Sequence, residues 1–67
     1  MNRVAVMDIG ECLHAPQSWF VALRYRGRDL KVFTGVKDEV GTLIQQAHKY
    51  ALNRGFTNTR QNWLRKL

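Results

Sequence analysis

Along the first half of the chain apolar and polar residues alternate, and in the middle apolar residues recur at helical spacing, so strands followed by a helix are expected. Residues 3–9, Arg3-Val4-Ala5-Val6-Met7-Asp8-Ile9, are apolar and partly β-branched and predict a first strand, which Gly10 ends. A loop from Glu11 to Gln17 follows, because Pro16 restricts Ala15 to extended geometry and disfavours a helix. Residues 18–26 and 29–36 then flank Gly27-Arg28, and glycine at the first central position suits a two-residue type II′ hairpin turn. That register pairs Arg26 with Asp29, Tyr25 with Leu30, Arg24 with Lys31, Leu23 with Val32 and Ala22 with Phe33. Alternation gathers Trp19, Val21, Leu23, Tyr25, Leu30, Val32 and Val36 on one apolar face, which a slip of one residue scatters.

From Lys37 to Arg54, Val40, Leu43, Ile44, Ala47 and Ala51 fall on one side of a helix, with Tyr50 beside them. Asp38 and Glu39 suit its electropositive start, Lys49 and Arg54 its electronegative end, and Gly55 a C-terminal cap. Residues 56–61 alternate like a strand, yet Asn58 also fits as the cap of a short helix carrying Trp63, Leu64 and Leu67 on one side. The good helix formers in residues 60–67 favour the helix. The expected fold is α+β. A small antiparallel sheet, made of the N-terminal strand and the hairpin, packs against one long amphipathic helix, and a short C-terminal helix or strand follows. Residues 1–67 form a single small domain.

Size limits what such a domain can do. A chain of 67 residues buries only about 60% of the surface its unfolded form exposes, which leaves room for one modest core and none for a separate catalytic cavity. Cys12 is the only cysteine, so neither an intramolecular disulfide nor a cysteine zinc site is available, and a reducing, cytoplasmic setting is expected. The first residues break the apolar run too early for a signal peptide, and no stretch reaches the ~20 apolar residues of a membrane span. Cys12, His14 and His48 fall short of the four ligands of structural zinc. The carboxylates are too dispersed for an acid/base pair, and the glycines form no phosphate loop. A binding protein without catalytic residues, metal or cofactor is the expectation.

Charge narrows the partner. Of a net +6, residues 1–23 hold one cation against two carboxylates, while residues 24–67 hold ten cations against three. After Glu39 there is no acidic side chain, a bias that favours an anionic partner. The expected register leaves Phe20, Arg24 and Arg26 on the hairpin's second face beside Lys31 and Phe33, with Arg28 in the turn. Arg24 and Lys31 then form a like-charged cross-strand pair that an anion would relieve. Phosphate tracking by Arg24, Arg26, Arg28 and Lys31, with stacking on Phe20 or Phe33, makes DNA or RNA the leading partner. Equally consistent with the pattern is burial of Phe20 and Phe33 in a second small core with the arginines at its rim. Arg54, Arg60, Arg65 and Lys66 form a secondary basic patch around Phe56 and Trp63, unless Trp63 and Leu64 pack back on the domain. The alternative function is a protein-binding module or inhibitor docking on an acidic surface, with an open sheet edge also offering a route to a homodimer.

The run Trp19, Val21, Leu23, Tyr25, Gly27, Arg28, Phe33, Lys37 and Glu39 resembles the small sheet-plus-helix DNA-binding modules of phage integrases and of a class of plant transcription factors. It covers about half of the chain. The resemblance implies a three-stranded sheet that reads the major groove; the N-terminal strand, its long connection and the tail after Gly55 have no counterpart in it.

Overall fold

A computed structural model describes residues 2–63. Strands β1 (Val4–Cys12), β2 (Ala15–Tyr25) and β3 (Arg28–Val36) come first, then a 3₁₀ turn (Lys37–Glu39), helix α1 (Val40–Asn53) and strand β4 (Asn58–Gln61). The sheet runs in the order β3-β2-β1-β4. β1, β2 and β3 pair antiparallel, as expected. β4 adds to β1 in parallel, so the four-stranded sheet is mixed, and the tail begins as a strand where residues 60–67 favoured a helix. Parallel neighbours need a long crossover, and α1 supplies it, carrying the chain from the β3 edge to the β4 edge across one face. Among the described residues, no helix is long and apolar enough to cross a membrane.

The core lies between that face and α1. Ala5 and Met7 of β1, Val21 and Leu23 of β2, Leu43, Ala47 and Ala51 of α1, and Phe56 are all buried. Tyr25, Phe33, Ile44, Tyr50 and Trp63 pack around them. Leu43, Ala47 and Ala51 recur at four-residue spacing, and the two alanines let the helix approach the sheet closely. Full burial of Met7, Val21 and Leu23 contributes roughly 1.5–3 kcal/mol each. The Val36 N–H donates to the Glu39 carboxylate at 3.0 Å, closing the 3₁₀ turn that leads into the helix.

Two connections differ from expectation. The expected loop from Glu11 to Gln17 is a tight turn at Leu13 and His14, and β2 starts at Ala15. The β2–β3 ladder begins with Ser18 opposite Val36, so the first residues of β2 have no β3 partner. The β2–β3 turn is centred on Arg26-Gly27, not Gly27-Arg28: Tyr25 pairs with Arg28, and both central residues have positive φ, 55° and 78°. This is the type I′ pattern, whose twist suits a hairpin, and glycine takes its second position. The ladder then shifts between Leu23 and Arg24, with Leu30 as the extra residue on β3.

Turn and bulge together displace β3 by one residue along most of its length. Leu23 faces Lys31, Ala22 faces Val32 and Val21 faces Phe33. The expected face of β2 is retained, since Val21 and Leu23 are buried and Tyr25 packs on the core. The faces of β3 are exchanged. Phe33 turns under α1, where its ring meets Tyr50 edge-on at 5.9 Å, and Val32 and Val36 turn outward.

Candidate functional site

The sheet face away from α1 carries Val6 and Asp8 of β1, Phe20 and Arg24 of β2, Val32 of β3 and Arg60 of β4. Phe20 lies over Gly10, where a Cβ would stand 2.9 Å from the ring. Phe20 and Phe33, expected side by side, are therefore on opposite faces. Arg24 and Lys31, expected to repel one another, are not partners. Arg24 instead donates from Nε to Asp29 at 2.7 Å and from Nη1 to Asp8 at 3.1 Å. Asp8 also accepts from the Asn62 amide at 2.9 Å, completing a row across the sheet. Among the described residues both ion pairs belong to Arg24. A polyanion approaching this face would meet Asp8 and Asp29 as well as Arg24 and Arg60.

The other cations gather elsewhere. β1 and β2 pair with Val6 opposite Arg24, so the N-terminal segment lies beside the tip of the β2–β3 hairpin. α1 starts at the opposite end of β3 and finishes at this same tip. Its last turn closes with the Gly55 N–H donating to Leu52 O and the Phe56 N–H to Ala51 O, both at 3.1 Å. That pair of bonds is a Schellman cap, and Gly55 supplies the left-handed residue it needs, at φ 94°. The cap drives Phe56 into the core, edge-on to Tyr25 at 4.9 Å. Thr57 then ties the N-terminal segment down, its N–H donating to Arg3 O at 2.9 Å.

These contacts create a basic, aromatic end to the molecule. The Arg3 guanidinium carbon stands 4.6 Å from the Phe56 ring centre and 5.5 Å from that of Tyr25. Arg26 lies over Tyr25 at 5.2 Å and Arg54 over Tyr50 at 4.9 Å. A cleft of about 310 Å³ opens among Arg3, Tyr25, Leu30, Tyr50, Arg54 and Phe56, with no carboxylate in its lining. On β3, next to the cleft residue Leu30, Arg28 stands opposite Tyr25 and Lys31 opposite Leu23. All five cations are exposed.

Of the residues expected to bind, Arg26, Arg28 and Lys31 from the primary set and Arg54 from the secondary set are thus brought together. Arg24, Phe20 and Arg60 lie on the far face, and Phe33 belongs to the core periphery. Trp63 also packs on the core. Arg65 and Lys66, with Leu64 and Leu67, lie outside the described residues. Sequence reasoning missed Arg3, Tyr25, Tyr50 and Phe56 as parts of one cluster. Its one available signal was the Gly55 cap, which returns the chain to the hairpin tip once β4 is known to pair with β1.

A larger cleft, about 620 Å³, lies between α1 and β4, where His48 Nδ1 and Thr59 Oγ1 are 2.7 Å apart. Glutamines and threonines dominate its rim and Lys49 is its one cation, so nothing there selects a charged ligand. Among the described residues no three His, Cys, Asp or Glu side chains gather as metal ligands. No known protein family, characterised protein or solved structure matches the chain.

Proposed function

We propose that this domain is a nucleic-acid-binding accessory or regulatory protein that engages its partner through the end formed by the hairpin tip, the N-terminal segment and the last turn of α1. The observation that carries the reading is a cleft lined by Arg3 and Arg54 and by no carboxylate, with Arg26 over its Tyr25 wall and Arg28 and Lys31 on the adjoining stretch of β3. Concentrated positive charge of this kind attracts a polyanion and speeds its encounter, while the paired Arg24 contributes little. In an amide chemical-shift titration with short oligonucleotides at low salt, shifts should cluster on Arg3, residues 25–31 and residues 50–56, and should fade as salt rises. Absence of localised shifts at low salt would overturn the reading.

β3 supports a second reading. It is an edge strand, with Val32 and Val36 47% and 50% exposed. Strand addition along this edge would dock an acidic protein partner or a second copy of the chain. Binding that survives high salt and is lost on replacing Val32 and Val36 by Thr would favour it.

A further inference from the structure

Resting on the nucleic-acid reading, we propose that the basic end grips the sugar-phosphate backbone of a duplex and does not stack the bases of a single strand. Single-strand binders offer open ring faces, on which each stacked base contributes about 1–3 kcal/mol. Here the rings already carry cations. Phe56 is buried, meets Tyr25 edge-on and has Arg3 above it; Tyr25 carries Arg3 and Arg26; Tyr50 carries Arg54 and meets Phe33 with its other contact. A base entering the cleft would have to displace a guanidinium from its ring, and with it the charge that holds the phosphates.

The same arrangement prepares the arginines for phosphate. A guanidinium held over a ring keeps the N–H donors along its edge, and that fork matches two phosphate oxygens at once. Holding it there before binding also removes part of the rotamer freedom that a long side chain otherwise loses on contact. The aromatic residues thus act as platforms for cations, and the cations make the contacts. DNA and RNA duplexes share this phosphate chemistry, and the comparison of the two in the test identifies which source the site takes.

Fluorescence anisotropy with the full chain distinguishes the possibilities. The probes are a short labelled DNA duplex, an RNA duplex of the same length, and the corresponding single strand, each over a salt series. At least one duplex should bind several-fold more tightly than the single strand. Its salt dependence should have a slope near −0.9 per neutralised phosphate, roughly −3 to −4.5 for the five cations. Arg3→Gln and Arg54→Gln, both at exposed side chains, should each weaken duplex binding and reduce the slope by about 0.9. The Tyr25 and Tyr50 ring-proton resonances should keep their positions when duplex binds. A single strand bound as tightly as either duplex, with upfield shifts of those protons from stacked bases, would overturn the duplex assignment and leave the nucleic-acid reading standing. Failure of all three probes at low salt would overturn that reading, and this inference with it.

Discussion

Arg24 reaches across the hairpin to Asp29, its Nε donating to Oδ1 at 2.7 Å, and this contact takes the one arginine of β2 out of the pool of free cations. Its Nη1 bond to Asp8 links β3 to β1 through a single side chain. The positive end and the near-neutral sheet face are thereby separated, although both arise from the same hairpin.

Arg24→Gln should therefore leave nucleic-acid affinity within about two-fold and its salt slope unchanged, since the cations that set the slope are elsewhere. Both Arg24 pairs are substantially exposed, at 45% for the arginine, so stability should fall by about 1 kcal/mol at most. Salt-dependent anisotropy and urea unfolding read the two effects separately. A slope reduced as far as by Arg54→Gln would place Arg24 at the interface.

Arg26 occupies a turn position with φ 55°, a conformation that asparagine tolerates better than arginine does. Arg26→Asn should raise stability by a few tenths of a kcal/mol. It should also remove one of the two cations over Tyr25 and weaken binding. Opposite signs in thermal melting and affinity would show a strained turn residue retained for its charge. A loss of both would show that the Arg26–Tyr25 contact matters more to the hairpin than the turn geometry does.

The elements were legible where one pattern had one solution. The stripe of Leu43, Ile44, Ala47, Tyr50 and Ala51 admits a single helix face, and that face is the one packed on the sheet. β3 was different, because Leu30, Val32, Phe33 and Val36 place apolar residues on both parities and either register buries some of them. The choice between Arg26-Gly27 and Gly27-Arg28 settles the turn, and the extra residue at Leu30, invisible to alternation, settles the faces. The basic end depends on still longer range. Arg3 and Arg54 are 51 positions apart in the sequence, and only the parallel pairing of β4 with β1 brings their segments together.

The register itself predicts a coupling. Phe33 and Tyr50 are edge-on at 5.9 Å, an arrangement that contributes about 0.5–1.5 kcal/mol beyond the area it buries. A double-mutant cycle of Phe33→Leu and Tyr50→Leu should return an interaction energy in that range from chemical denaturation. Phe33→Leu alone should leave nucleic-acid affinity unchanged, since its ring faces the core. Additive effects would mean that Phe33 does not pack beneath α1 and that the alternative register is populated.

Glycine-to-alanine changes at the two ends of α1 should have opposite signs. Gly55 sits at φ 94° as the left-handed residue of the Schellman cap, where an added Cβ is strained even though its nearest new neighbour is Arg3 Nη1 at 3.8 Å. Gly55→Ala should cost about 1–2 kcal/mol, which in a domain this small lowers the melting temperature by roughly 4–15 °C. Loosening the cap also loosens the link between the end of α1 and the N-terminal segment, so duplex affinity should fall although no cation is removed. Gly41, exposed in the first turn of α1, would place a Cβ in open space. Gly41→Ala should raise stability by up to about 1 kcal/mol through helix propensity alone and leave affinity unchanged. Calorimetry and anisotropy on the same pair of variants test both halves. Equal effects of the two substitutions on binding would separate the basic end from the helix cap that is argued to assemble it.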